Sequence, residues 1–393
     1  MLWISFPLLS KRSQFNAARR GNTRKASWPF LFLCLALIFS CTGSGASPTN
    51  TTCTGEQLTQ LEQSMTSTLI STPTDTDFTL MLESADGRTY SVSTGASTSA
   101  TSYESASTSK LVTAVVILSL VDQGTTTLTL DSKPQDLISF WTPMVGTPAS
   151  KVTLRHLLSF TSGFMTEPDP VSPALLGCLD RQIQIFEDCV QQIYNTNKDN
   201  NIEPGGQFYY SSTHLQIAGL MAINAGGYPS WTKVFDDFKL RTGLFSHSTY
   251  DLPSATNPRL AGGMHWTGED YLEFLRTLYK GQLLSDNMRK ELWASQRGSA
   301  TVESSPVRDA LSEDWPYALG NWVECANSSS NCVPTGRNSG PGAYGAYPFI
   351  DVKKGYFGIL ARQGALGTFR NGIALFRTVQ DTAGKWATKS CGN

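Results

Sequence analysis

The spacing of apolar positions changes along the chain, and each change predicts an element. Leu58, Leu61, Met65 and Leu69 recur at helical intervals across residues 56–70. Residues 78–83 and 90–93 are strand-like runs, and Asp86-Gly87 between them is a hairpin signal. A Ser/Thr-rich loop at 94–102 leads into residues 103–124, YESASTSKLVTAVVILSLVDQG. From Leu111 to Val121 this run is apolar on every side, which marks a helix enclosed by other elements, and Gly124 ends it.

Beyond it, a short helix is expected within 153–163, with His156 as a structural residue because no acidic partner is near. Residues 165–201 read as an insertion, and Pro204-Gly205-Gly206 as a turn before an aromatic run and an apolar helix carrying His214 as a surface or packing residue. Ser230 reads as the cap of an amphipathic helix. Thr267 and Asp270 form a capping-box variant opening a helix that Gly281 ends, and a further short helix spans 285–293. Residues 343–350 and 356–361 form a hairpin, and 372–386 a terminal helix. The expected class is α+β, with one antiparallel sheet built from both chain ends, flanking helices and a mostly helical region at about 125–330.

Composition narrows the function. Net formal charge is −1 and charged residues make up 16% of the chain, so no basic field argues for nucleic acid. No run of eighteen apolar residues suggests an internal membrane span. The first residues differ: Lys11, Arg12, Arg19, Arg20, Arg24 and Lys25 precede a short apolar stretch at 28–40 and then small residues. This predicts a targeting segment over 1–47 and a single domain over 48–393. An uncleaved anchor and lipidation at Cys41 remain alternatives, so the expected location is secreted or periplasmic, with membrane attachment only through this segment.

Beyond Cys34 and Cys41, six cysteines remain. An even number in an exported chain predicts disulfides, with fifteen formal connectivities. Sequence proximity favours Cys178 with Cys189 and Cys325 with Cys332, leaving Cys53 with Cys391. The four histidines show no ligand spacing with these cysteines, so no metal is expected. Asn50 and Asn327 begin glycosylation sequons.

The candidate chemistry is Ser107-x-x-Lys110. At helical spacing the two side chains share a face, and a lysine with a lowered pKa can take the serine proton. The pattern alone is weak: with 43 Ser and 14 Lys in 393 residues, chance gives it about 1.5 times, and it occurs twice. The second copy, Ser230 to Lys233, fits a cap and a solvated charge.

Context is more specific. Ser107-Thr-Ser-Lys110, residues 152–164, Pro204-Gly-Gly-Gln-Phe-Tyr-Tyr-Ser-Ser212 and Asn257-Pro-Arg-Leu-Ala-Gly-Gly-Met264 follow in the order found in serine β-lactamases and penicillin-binding proteins. The chain resembles that superfamily over about residues 53–376, and within it the class C-related branch with its D-alanyl-D-alanine peptidases and esterases. The resemblance implies Ser107 as nucleophile, with Lys110 and Tyr210 sharing acid and base work and no cofactor. Ser212 stands where relatives carry an asparagine that faces the substrate. The third motif departs most. Relatives start the inner strand with K-T-G or H-x-G. Ungapped alignment puts Arg337-Asn338-Ser339 there, and a one-residue shift gives Asn338-Ser339-Gly340. The ungapped register is preferred, because the shifted one places Pro341, which lacks an N–H, where relatives use a backbone donor. Gly340 then supplies the oxyanion N–H, and Arg337 the charge that meets a substrate carboxylate.

The expected function is therefore a secreted serine hydrolase acting on a small-molecule or peptide ester or amide through an acyl-enzyme. The altered motifs keep a second reading open, a catalytically silent relative serving as a binding or scaffold module.

Overall fold

The two ends of the chain are brought together to build the main sheet. The computed structural model describes residues 52–168, 177–325 and 332–391. The targeting segment, Cys34, Cys41 and the sequons at Asn50 and Asn327 lie outside them. The described residues belong to one compact unit, Pro48–Asn393.

The chain opens with helix α1 (Gly55–Ser71), closed by a full capping box between Thr54 and Gln57. Strands β1 (Phe78–Ser84) and β2 (Thr89–Ser93) form the expected hairpin, with Gly87 at φ 84°. β3 (Ser102–Glu104) precedes α2 (Ser109–Asp122). The middle holds α3 (Leu154–Leu158), α4 (Phe186–Asn197), β4 (Gln207–Tyr209), α5 (Thr213–Gly226), α6 (Trp231–Thr242), β5 (Thr249–Tyr250) and β6 (Met264–Thr267). It continues with α7 (Gly268–Tyr279), α8 (Asp286–Trp293), β7 (Thr301–Ser304), α9 (Pro306–Leu311) and β8 (Trp322–Cys325). The chain closes with β9 (Pro334–Ser339), β10 (Tyr347–Asp351), β11 (Tyr356–Arg362), α10 (Phe369–Arg377) and α11 (Gln380–Thr388).

The six-stranded sheet runs β2-β1-β11-β10-β9-β8 and is antiparallel throughout. Both chain ends therefore contribute, as the two hairpins implied. β1 is buried at all seven positions because α11 packs against it as well as α7. The middle is less purely helical than expected: β3-β6-β5 and the parallel pair β4-β7 form two small sheets. The expected single terminal helix is two, separated at Thr378 and Val379, and the turn lets Phe376 and Trp386 both reach the interior.

The apolar run at 111–121 becomes α2, packed against α5, α6 and α8. Twelve consecutive residues, Ser109 to Leu120, are buried. At 25 cal/mol per Å² of apolar surface, such a helix anchors the core. Three disulfides close the described chain in the favoured pairing: Cys53–Cys391, Cys178–Cys189 and Cys325–Cys332. They fit an oxidising environment. No helix among the described residues is long and apolar enough to cross a membrane.

Candidate active site

Ser107 lies one turn before α2, not on it. The connection is a 3-10 turn, Ala106–Thr108, and Ala106 holds φ at 43°, in the left-handed region that costs a non-glycine residue energy. The neighbouring elements fix this turn. Ser105 exchanges hydrogen bonds with Met264: its N–H donates to the Met264 oxygen at 2.8 Å, and its Oγ accepts from the Met264 N–H at 3.0 Å. The Trp266 indole donates to Thr108 Oγ1, and the Tyr271 hydroxyl to the Thr108 oxygen, both at 2.8 Å. Being in the first turn, the Ser107 N–H has no acceptor within the helix and can serve an oxyanion.

Lys110 is buried at the start of α2. Its Nζ donates to Ser107 Oγ at 2.8 Å and to the Ala261 oxygen at 2.8 Å. Burial, helped by the charge of Arg259, pulls its pKa down to about 7. The nitrogen stands 4.7 Å from the centroid of the Tyr210 ring. Tyr210 follows β4, and its N–H donates to the Ser304 oxygen at 3.2 Å. The ring stacks on Trp322 at 5.3 Å, with 18° between planes, and meets Tyr317 edge-on at 5.9 Å. Burial raises the Tyr210 pKa, with hydrogen bonding to Ser107 and Trp322 acting against the rise, so the phenol is protonated at neutral pH.

Ser107 and Tyr210 line one cavity of about 240 Å³. Trp322, Phe369, Pro306, Val307, Pro341 and Ala343 add apolar wall, and Ser304 and Asp309 are the other polar members. No cationic residue lines it. Among the described residues no group of His, Cys, Asp and Glu could hold a metal ion.

The Beta-lactamase family model matches residues 82–376, which covers most of the chain and all of these residues. The chain belongs to the β-lactamase family. Penicillin-binding protein 4* of Bacillus subtilis (strain 168) is 28% identical over 159 residues, 40% of this chain and 32% of that protein. The alignment thus spans about a third of that relative's length. A candidate β-lactamase of Bacteroides dorei DSM 17855 shares the fold with a TM-score of 0.66 and 25% identity, covering 81% of this chain and 97% of that one. EstCE1, a hydrolase with promiscuous acyltransferase activity, matches with a TM-score of 0.64 and 16% identity over 83% of this chain and 98% of its own.

Against the family pattern the structure joins Ser107, Lys110 and Tyr210 but separates the other expected residues. Arg337, on β9, does not line the cavity. It is 5% exposed, and its guanidinium reaches Asp351 at 3.2 Å, the Tyr356 hydroxyl at 2.7 Å and Gln380 at 3.3 Å. Three aromatic rings surround it, with Phe349 nearest at 4.9 Å. The expectation that it meets a substrate carboxylate is therefore corrected: its charge is neutralised within the protein. Gly340 is corrected too, because its N–H donates to the Pro348 oxygen at 3.0 Å as part of the sheet. Pro341 and Ala343 are the residues of this segment that line the cavity. Asn338 donates to Asn321 at 2.8 Å and to the Trp293 oxygen at 3.2 Å. Ser212 is the half-buried N-cap of α5 and does not line the cavity.

Two histidines are structural. His214 is buried between Ser162 Oγ at 2.8 Å and the Tyr209 oxygen at 3.0 Å, and burial lowers its pKa to about 4, so it stays neutral. His156 bonds back to its own helix cap at Thr153.

Sequence reasoning missed Ala261, Trp322, Asp309 and Ala343. Ala261 lies in the Asn257–Met264 stretch, whose family match was visible. Trp322 is in a four-residue strand buried on both faces, which leaves no alternation to read.

Proposed function

We propose that this chain is an exported serine hydrolase that cleaves an ester or amide through an acyl-enzyme on Ser107. The reading rests on one observation, the 2.8 Å approach of a buried Lys110 to Ser107 Oγ with a pKa near 7. At neutral pH about half of such a lysine is the free amine, able to accept the serine proton.

Ser107 Oγ attacks the carbonyl carbon while its proton passes to Lys110. The negative charge on the carbonyl oxygen is held by main-chain N–H groups. Ser107 supplies one. Gly340 and Gly342 are engaged by the Pro348 and Ala346 oxygens, and Pro341 has no N–H. Ala343, the next residue on the cavity wall, is the second donor in this reading. The protonated Lys110, with the Tyr210 hydroxyl beside it, returns a proton to the leaving group. Water then attacks the acyl carbon and gives a proton to Lys110, which passes it to Ser107 Oγ as the acid leaves, restoring the free hydroxyl and the free amine.

Among the described residues no arginine or lysine lines the cavity, and the Lys110 amine behind Ser107 is engaged by Ser107 and Ala261, which favours the esterase side of the family over D-alanyl peptides and β-lactams. The test is labelling by a fluorophosphonate and by a fluorescent penicillin. Ser107→Ala should remove all fluorophosphonate labelling and all aryl ester hydrolysis while keeping the thermal unfolding transition. Labelling that survives in Ser107→Ala would move the nucleophile elsewhere. A wild-type protein that labels with neither probe would favour the silent scaffold. Labelling by the penicillin would restore the peptidoglycan-type reading.

A further inference from the structure

We propose that the Ser107 cavity selects substrates carrying a cationic group, a quaternary or protonated amine, through the Asp309 carboxylate and the aromatic wall opposite. The proposal deepens the hydrolase reading and rests on its choice of cavity. Asp309 is the one charged residue lining that cavity. It stands exposed on α9, and no ion pair among the described residues engages it. The nearby cations are committed or absent from the wall. Lys110 is held by Ser107 Oγ and the Ala261 oxygen, both at 2.8 Å, and is not among the lining residues. Arg308 turns to Asp314 at 3.2 Å and to the Val302 oxygen at 3.3 Å. Arg370, next to Phe369 in the chain, is exposed and not on the wall. Arg337, the residue whose place in the sequence suggested a carboxylate partner, is buried and paired with Asp351.

The other walls suit the same ligand. Trp322 and Phe369 present aromatic surface, while Tyr210 is stacked on Trp322 at 5.3 Å and already has the Lys110 amine 4.7 Å from its centroid. Aromatic faces attract alkylammonium groups, and a carboxylate adds a Coulomb term. Asp309 repels a carboxylate by the same rule, so the charge preference is opposite to the one the aligned Arg337 implied. Solvent screening at an exposed aspartate keeps the effect modest, about five- to tenfold.

The experiment measures binding, so it does not depend on turnover. The Ser107→Ala protein is titrated with 3-(trimethylammonio)phenol and with its neutral isostere 3-tert-butylphenol at low salt. The ammonium compound should bind about five- to tenfold more tightly, and rising ionic strength should narrow the gap. Asp309→Asn should remove the preference and Asp309→Glu should keep it. Equal affinities, binding of neither phenol, or a preference that survives in Asp309→Asn would overturn the proposal. Ester turnover is scored separately. Ammonium selectivity without any hydrolysis would refute the acyl-enzyme reading and leave the cation site standing.

Discussion

Lys110 Nζ donates to the main-chain oxygen of Ala261 at 2.8 Å, so the amine is fixed from behind while it faces Ser107 Oγ at the same distance. The loop carrying Ala261 is itself pinned, because Gln216 bonds both the Pro258 oxygen at 3.0 Å and the Leu260 N–H at 3.2 Å. One side chain on α5 therefore positions the loop that holds Lys110.

Lys110 gives a prediction about pH. Acylation should rise with pH around a midpoint near 7, as the amine loses its proton. Stability should show the cost of the same burial. An unfolded lysine holds its proton below about 10.5, whereas the folded one does so only below about 7. Between these values the unfolded state binds more protons, so stability rises with pH across that window. The penalty at neutral pH is on the order of 4 kcal/mol, offset by the two hydrogen bonds the amine makes. Lys110→Met should therefore be inactive yet more stable than wild type at pH 7, with the difference shrinking toward pH 10. Denaturant unfolding at both pH values checks this, and a less stable variant at pH 7 would refute it.

Gly342 gives a prediction about geometry. A Cβ there would lie 2.9 Å from the Ser105 oxygen and 2.9 Å from Thr108 Cγ2. Gly342→Ala should push the Pro341–Ala343 segment away from the Ser107 turn. A displacement of this kind costs about tenfold to a hundredfold in kcat. Burst and steady-state kinetics on a neutral aryl ester would read it, and unchanged kcat would remove Ala343 from the oxyanion role.

Arg337 should matter for folding and not for substrate choice. Arg337→Met leaves Asp351 and Glu324 buried without their cation, at 3.2 and 3.7 Å in the native protein. Breaking a buried pair from one side costs about 3–5 kcal/mol. The ratio of kcat/KM for carboxylate-bearing and neutral esters should change less than about twofold. A selective tenfold loss on the carboxylate substrate would return Arg337 to the site.

The disulfides give a chemical prediction. Protein lacking residues 1–47 should titrate no free thiol when denatured without reductant. Cys391→Ser opens the bond joining the two chain ends, which lies beside the packed pair α1 and α11. It should lower stability by about 3–5 kcal/mol. Two or more free thiols in the unsubstituted protein would contradict the export reading.

Much of this molecule was legible in the sequence because the signals were local. Asp86-Gly87 between two short runs specified a hairpin, Thr267 marked a helix start, and an apolar run with no polar side specified a buried α2. The pairing of Ser107 with Lys110 was legible for the same reason, since three residues of spacing bring the two side chains together wherever the turn is placed. The tertiary structure decided what depends on which face of a strand turns toward the helices. A shift of one residue in β9 exchanges the faces, and no local feature separates the two registers. Pairing of Phe349 with Ser339 and Ile350 with Asn338 fixes that register. It sends Arg337 into a cage of aromatic rings and acids, puts the Gly340 N–H into the sheet, and brings Pro341 and Ala343 to Ser107. Asp309 reaches the same cavity from a separate helix 202 positions later in the chain (309 − 107), a proximity created only by long-range packing.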